Sequence, residues 1–453
     1  MARPFLTATA LLGTLTLVPL ATQAMAAADS STYREFDQFL DVFNRIKADY
    51  VDKVDDQKLI KGAIAGMLAS LDPHSSYMDA LDYDNLKIQT EGNYGGLGLT
   101  VSMEDGAVKV IAPQEDTPAA RAGVKAGDYI THIDGKLIYG ESLDDAIGLM
   151  RGKPGTKITL GLVRPGRDKP LDVTMIREVI VQKPVKWEVR GDVGYININT
   201  FSENTGADTR AAIMGIDKSL GHRPLGYVVD LRNNGGGLLT QAIAVGDAFL
   251  DHGEIVSQRG REKSDIERYY AKAGDDAHGL PVVVLTDAGT ASASEIVAGA
   301  LQDHHRALIM GERTFGKGSV QTLLPLGPDS ALRLTTARYY TPSGRSVQEG
   351  GIAPDIAVPQ ISDPDYKTRP VFREADLRRH LINEVKADNA VLEEDVKDDP
   401  RFTMTADQLK KQGIPDFQLY YALKTIARLG GPTQVAAATK PIVDPTAAKP
   451  ATK

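Results

Sequence analysis

Two short runs, Tyr227-Val228-Val229-Asp230-Leu231 and Pro281–Leu285, limit what this chain can fold into more than any other feature. Each is almost unbroken in apolar residues, and each leads through a turn of small residues into a helical pattern. A strand that is apolar on both faces must be covered on both, the condition of a parallel sheet flanked by helices. Val193–Ile198, Ala307–Gly311, Val320–Leu324 and Ala331–Tyr340 read as further strands. Helices are predicted at 207–219, from the glycine turn at 235–237 to Leu250, and at about 293–303. Residues 178–360 are therefore expected to form an α/β core.

The chain has 453 residues, room for several domains of about 100–200 each. Its net charge of −8 argues against a nucleic-acid partner. It has no cysteine, which excludes disulfides, thiolate metal centres, a cysteine nucleophile and a lipoprotein anchor. The eight histidines show no HExxH spacing, and His304 and His305 are adjacent, so on a helix they point about 100° apart and suit one ion poorly. Neither a metal nor a cofactor is expected.

Residues 1–26 read as an export signal, with Arg3, the apolar stretch Phe5–Leu20 and the small-x-small site Ala24-Met25-Ala26. The stretch is shorter than the ~20 residues a membrane span needs, which weighs against an uncleaved anchor. A bacterial periplasm is the expected compartment. Residues 27–91 form an expected helical arm, with Phe36, Phe39, Leu40, Phe43 and Ile46, then Ile60, Ile64, Met67 and Leu68, at three- and four-residue steps. The segment Leu71-Asp72-Pro73-His74-Ser75 closes its second helix, because Pro73 disfavours helix at Asp72. Such arms pack on a partner domain or a second subunit. Residues 361–430 are expected to be helical at 373–388 and 416–429, and the Ala-, Thr-, Pro- and Lys-rich residues 431–453 to be disordered.

Residues 92–177 combine short strands with strong turn signals. Gly95-Gly96-Leu97-Gly98 precedes one strand, Ala122-Gly123-Val124-Lys125-Ala126-Gly127-Asp128 leads into another, and Arg151-Gly152-Lys153-Pro154-Gly155-Thr156 follows a helix near 142–151. In this order the motifs resemble a PDZ domain over its whole length. The resemblance implies that backbone N–H groups of Gly95, Gly96, Leu97 and Gly98 hold a peptide's terminal carboxylate while the adjoining strand edge accepts the peptide. Arg151 suits a cationic sensor beside such a ligand, or equally a solvated surface arginine.

Three stretches carry chemistry. In Asp287–Ile296 a buried strand passes through small residues to a helix start, where the dipole favours developing negative charge. Ser292 and Ser294 there are both natural helix caps, and Glu295 suits the first helical turn without any further role. Phe315-Gly316-Lys317-Gly318-Ser319-Val320-Gln321 places a lysine between glycines, which lets the backbone approach closely. It is no phosphate loop, since it precedes a strand rather than a helix. Asp230–Gly237 ends a strand in glycines of the kind that offer oxyanion donors.

The order of helical arm, PDZ-like region, Asp230-Leu231-Arg232-Asn233-Asn234-Gly235-Gly236-Gly237, Ala291–Ile296 and Phe315–Gln321 resembles the carboxy-terminal processing, or tail-specific, proteases over nearly the whole chain after the signal. The resemblance implies a crotonase-like α/β core with an inserted PDZ domain and helical arms at both ends. It implies a serine–lysine endopeptidase with Ser292 as nucleophile, Lys317 as general base and Gln321 orienting the lysine. Its oxyanion donors would be the backbone N–H of Ala293 and of a glycine in the 235–237 loop, foremost Gly236; many relatives have Pro where this chain has Gly235. A lysine is protonated near pKa 10.4 in water, so burial must lower it before it can act as a base. Implied partners are protein or peptide substrates with apolar C-termini, an adaptor lipoprotein that delivers them, and a second copy of the chain. Envelope proteins are the substrate class the resemblance favours, and PDZ-gated activation fits it. Ser292, Lys317 and Gln321 together speak against a dead scaffold. The export signal speaks against an acyl-CoA enzyme of similar core, and the lack of a GxSGG motif against a trypsin-like protease.

Overall fold

The structure, a computed structural model, describes residues 30–384, apart from residues 105, 168, 263 and 329, together with residues 401–430. The expected export signal, the expected tail from 431 and the end of the helix expected at 373–388 lie outside these. The chain divides into two compact units between Leu68 and Ala69.

The first unit holds helices Ser30–Asp49 and Asp56–Ala69, with Lys47 and Asp56 paired at 2.7 Å. Its apolar residues do not bury themselves. Phe36 and Leu40 are more than half exposed, and Phe39, Val42, Phe43, Ile46, Leu59 and Ala63 line an open groove within the unit.

The second unit is built on a six-stranded sheet in the order Val185–Arg190, Val193–Ile198, Gly226–Asp230, Val282–Thr286, Leu308–Gly311 and Ile356–Ala357. The first pair is antiparallel and the others are parallel. Gly226–Asp230 and Val282–Thr286 are buried along their whole length, as their unbroken apolar character requires. Alternate residues supply two cores. Val229, Val282 and Val284 pack with helices Thr205–Leu220, Leu239–Phe249 and Ala293–Asp303, while Val228, Val283 and Leu285 face Phe417, Ala422 and Ile426 of helix Phe417–Leu429. That last helix is tied to the end of strand Gly226–Asp230 by charge. Arg232 donates to Asp230 at 2.6 Å and to Asp416, the N-cap of Phe417–Leu429, at 2.7 Å. Burial alone would raise the Asp416 carboxyl, yet the Arg232 guanidinium, Gln360 and the Leu419 N–H hold it below the usual carboxylate value.

A second sheet pairs the long hairpin Ser319–Gly327 and Ser330–Tyr340 with Glu254–Arg259, Ile266–Tyr270 and the short strand Ser76–Met78. A third has the order Leu99–Glu104, Ala107–Pro113, Tyr129–Ile133, Lys157–Val163, Leu171–Ile176, and buries Val108, Ile130, Ile158, Leu160 and Leu162 around its own core. Helix Leu143–Met150 packs there. Ser142 caps its first turn through the Asp145 N–H, and Arg177 takes the carbonyls of Leu149 and Met150 at 2.9 and 3.0 Å.

One expected helix does not form. Of residues 373–384 only Glu374–Asp376 winds, as a single 3-10 turn. The periodic pattern loses to tertiary partners. Arg373 donates to the carbonyls of Arg313 and Thr314, the Glu374 N–H to Phe315, Gln348 to Leu381, and His380 pairs with Glu349 at 2.7 Å. These bonds lay the segment along the lysine loop. Helix Ala80–Glu91 falls within the helical region expected at 27–91, whereas strands Glu254–Arg259 and Ile266–Tyr270 were not legible in the sequence.

Candidate active site

Strands Gly226–Asp230, Val282–Thr286 and Leu308–Gly311 run side by side and parallel, so the loops that follow them emerge at one edge of the sheet. Carboxyl ends of parallel strands are where such sheets place their sites. These three loops are the glycine loop 231–238, the segment 287–292 and the lysine loop 312–318. They interlock through main-chain and hydroxyl bonds: the Ala291 N–H and the Ser294 hydroxyl donate to the Asn234 carbonyl, Thr290 donates to Leu231, and the Phe315 N–H donates to Thr290.

Ser292 stands at the head of helix Ala293–Asp303 with φ 57° and ψ −116°. A positive φ is uncommon for a residue with a side chain and costs about 1–3 kcal/mol, so the surrounding bonds must impose it. Its hydroxyl faces the phenol of Tyr339, while the Glu295 side chain returns to its N–H as in a capping box. Ser294, by contrast, is structural, being fully buried and bonded to Asn234. Gly236 presses on the serine with φ 98°. A Cβ there would lie 2.8 Å from Ser292 Cβ and 2.9 Å from the Ala293 nitrogen, so only glycine fits. A Cβ at Gly235 would meet nothing within 4 Å, so that position has room for a side chain, unlike Gly236.

The Ala293 N–H makes no hydrogen bond among the described residues, as an oxyanion donor requires. The Gly236 N–H is a different case. It donates to Asn234 Oδ1 at 2.9 Å rather than into the site. Asn234 is fully buried and its amide donates to the Ile198 carbonyl at 2.7 Å, which orients the oxygen toward Gly236.

The lysine loop is fastened to the serine by one carboxylate. Glu295, fully buried, accepts from the N–H of Ser292 at 2.7 Å, Gly316 at 2.7 Å and Lys317 at 3.0 Å, and from the Thr314 hydroxyl. Burial pushes its carboxyl up to about 7 against these donors. The helix dipole alone does not account for Glu295: it joins two motifs distant in sequence. Tyr339, also buried, donates to the Lys317 carbonyl, and burial holds its phenol neutral.

Among the described residues no hydrogen bond or ion pair holds the Lys317 side chain. Burial, with the Arg333 guanidinium nearby, lowers its amine below the ordinary lysine value, while Glu374, Glu295 and Asp72 oppose the shift. Gln321 does not bond to Lys317, contrary to the orienting role the resemblance implied. Its amide donates to Ser319 and Thr335 at 2.9 and 3.3 Å, because Thr335 is its cross-strand neighbour. Thr335 in turn donates to Asp72 at 3.1 Å. Nor are Ser292 and Lys317 bonded to each other. No group of three His, Asp or Glu side chains among the described residues is placed to hold a metal ion.

In the third sheet, Leu99–Glu104 is an edge strand, and the N–H groups of Leu97 and Gly98 before it make no hydrogen bond among the described residues. Gly98 has φ 73° and lies where a Cβ would meet Thr117 at 2.3 Å. The loop opens on a cavity of about 270 Å³ beside Leu99, Ile147, Met150 and Arg151. Gly95 and Gly96 belong to strand Asn93–Gly96, paired with Glu178–Val181. Arg151 is not a free surface group. It donates to Asn85 of helix Ala80–Glu91 and lies 5.2 Å from the centre of the Tyr94 ring.

An α/β sheet with a serine, a partly buried lysine and a glycine loop at one edge, in a unit that also carries a peptide-sized groove, is the architecture of a serine-type peptidase. The family model described as Peptidase family S41 matches residues 192–358, that of the Activating protease CtpB N-terminal domain residues 17–81, and that of the PDZ domain residues 109–164. A carboxy-terminal-processing protease of Bartonella bacilliformis is 51% identical over 84% of this chain and 90% of its own. The carboxy-terminal processing protease CtpB of Bacillus subtilis is 36% identical over 76% and 72%. The solved photosystem II D1 C-terminal processing protease is 31% identical over 71% of this chain and 92% of its own, with a TM-score of 0.42. The chain belongs to the carboxy-terminal processing proteases of peptidase family S41.

Proposed function

We propose that the protein is an exported endopeptidase that reads substrate C-termini through its PDZ domain and cuts with Ser292 and Lys317. The observation that carries this reading is the Glu295 carboxylate, which binds the backbone N–H of both residues and so makes one site of two motifs. Lys317, neutral by burial, takes the Ser292 proton as Oγ attacks the scissile carbonyl. The Ala293 N–H and a glycine-loop N–H receive the oxyanion. The lysine returns the proton to the leaving amine, and water then hydrolyses the acyl-enzyme.

The described arrangement is a resting one on this reading, since the dyad is unbonded and the Gly236 N–H is engaged by Asn234. A bound tail activates by favouring the aligned state, and it does so by as much as it prefers that state. Arg151, between the groove and helix Ala80–Glu91, is suited to carry the signal. Gln321 enters the scheme through Thr335, not by contact with the lysine.

The test is digestion of an unstructured protein with an apolar C-terminus, carrying either a free carboxylate or a carboxamide. Wild type is expected to cut the free-tailed substrate, and Ser292→Ala to cut neither. Amidation removes charge-assisted hydrogen bonds worth about 1.5–3 kcal/mol, a loss of roughly ten- to a hundredfold in kcat/KM. Retained cleavage by Ser292→Ala would sink the nucleophile, and equal cleavage of both substrates would sink tail reading.

The signal-like residues 1–26 support export to the periplasm, where envelope proteins are the available substrates, delivered directly or by an adaptor lipoprotein. The exposed apolar face of the first unit supports self-association as a dimer, because water-exposed phenylalanines and leucines gain by mutual burial. The exported protein is expected to have the mass of a chain starting at Ala27 and to sediment as a dimer. A full-length chain or a concentration-independent monomer would contradict export or dimerisation respectively.

A further inference from the structure

Beside the lysine loop lies a buried ion cluster that the Ser–Lys scheme leaves unused. Glu374 is fully buried, yet nothing in its own segment pairs with it. Its partners come from far along the chain: His74 Nε2 lies 3.0 and 2.9 Å from its two oxygens, and Gln348 donates to one of them at 3.0 Å. Gln348 also accepts from the Gly318 N–H at 3.0 Å, and the Glu374 N–H donates to the Phe315 carbonyl at 3.1 Å. The carboxylate is thus fastened to the loop on both sides of Lys317, in Coulombic reach of its amine.

Resting on the Ser–Lys reading, we infer that Glu374, oriented by His74 and Gln348, is a positioning residue that stabilises through space, without a direct ion pair, the ammonium formed on Lys317 when the serine is deprotonated. In that step the Oγ–H bond and the carbonyl π bond break, an Nζ–H bond and the Oγ–C bond form, the π pair becomes the oxyanion's, and the amine becomes a partly buried cation. A fixed anion beside it stabilises that cation without reorganising. Burial alone would raise the Glu374 carboxyl, but the hydrogen bonds from His74 and Gln348 bring it below the ordinary glutamate value and so keep it ionised. His380, itself paired with Glu349, and the buried phenol of Tyr339 are further titratable groups in its field. The amine is faced in addition by Arg333 from strand Ser330–Tyr340, by Glu295 from helix Ala293–Asp303 and by Asp72 from the segment before Ser76–Met78. Arg333 disfavours the ammonium and the carboxylates favour it. Glu374 is the carboxylate among them that an imidazole and a side-chain amide hold in place.

The experiment is the pH profile of kcat/KM for wild type, Glu374→Gln and His74→Ala, with Ser292→Ala and Lys317→Ala as controls. The acid limb reports the free enzyme's base. Removing the carboxylate charge is expected to move that limb to lower pH by about one unit and to reduce the plateau about tenfold. His74→Ala keeps the carboxylate but removes the group that orients it and helps keep it ionised, so its limb is expected to move in the same direction by a smaller amount. The His74 side chain is 15% exposed, so its truncation tests the idea even if Glu374→Gln fails to fold. Glu295 is intact in every variant, and its own titration cancels in the comparison. A limb unmoved in the variants that fold, with both controls inactive, would overturn the role of Glu374. Cleavage by either control would overturn the Ser–Lys reading instead.

Discussion

Lys317→Ala is expected to lower kcat/KM by about 10⁴-fold or more while leaving the fold intact or slightly more stable. The activity loss follows from chemistry: without a neutral amine nothing at hand takes the Ser292 proton, and only the oxyanion donors and substrate binding still favour reaction. The stability change follows from the amine's surroundings. It is partly buried, no hydrogen bond or ion pair holds it among the described residues, and its lowered proton affinity is the mark of an environment that disfavours the charged form. Removing such a group relieves a cost that function imposes. Urea unfolding followed by CD, run beside peptidase assays, checks both. Activity within tenfold of wild type would exclude Lys317 as the base.

Glu295→Gln is expected to cost both activity and stability, about 10²-fold in kcat/KM and about 3 kcal/mol in unfolding free energy. The carboxylate accepts from four donors, and a glutamine amide presents one accepting end and one donating end. Turned one way, its NH₂ opposes the N–H groups of Ser292 and Lys317 and uncouples them. Turned the other way, it opposes the Gly316 N–H and the Thr314 hydroxyl, of which only the hydroxyl can rotate to accept. The pH dependence has a definite sign. The folded-state value of about 7 exceeds the unfolded one, so the stability that protonated Glu295 contributes is fully present below about 4.3 and is lost as pH rises through 7. Glu295→Gln abolishes that component. A variant with wild-type rates and a wild-type stability profile would reduce Glu295 to an ordinary first-turn acid.

Much of this was legible one-dimensionally because it rests on short-range signals. Unbroken apolar runs marked the buried strands, glycines marked the positions of positive φ and close approach, and ordered motifs identified the family and the serine and lysine loops. Helix 293–303 emerged with its expected bounds for the same reason, since its start is a turn of small residues and its apolar face is continuous. Signals of that kind fail where partners lie hundreds of positions apart. The helical pattern at 373–384 was genuine but yielded to bonds with residues 313–315 and 348–349, and no local rule announces such competition.

The site divides along the same line. Ser292, Lys317, Gly236 and Ala293 were named from motif order, and the fold places the serine, the glycine and the lysine loop together. That the serine's hydroxyl faces Tyr339, that the Gly236 N–H turns to Asn234, and that Gln321 serves Thr335 are matters of orientation, set by side chains from several elements at once. Glu295, read from sequence as a dipole partner, becomes the joint between the loops only when both loops are folded against it. His74 and Glu374 carry no spacing signal at all, because a buried carboxylate is recognisable only by the groups that surround it. Composition and periodicity decide what must be buried; which polar groups then find one another is decided by packing, where each unsatisfied donor or acceptor would cost free energy.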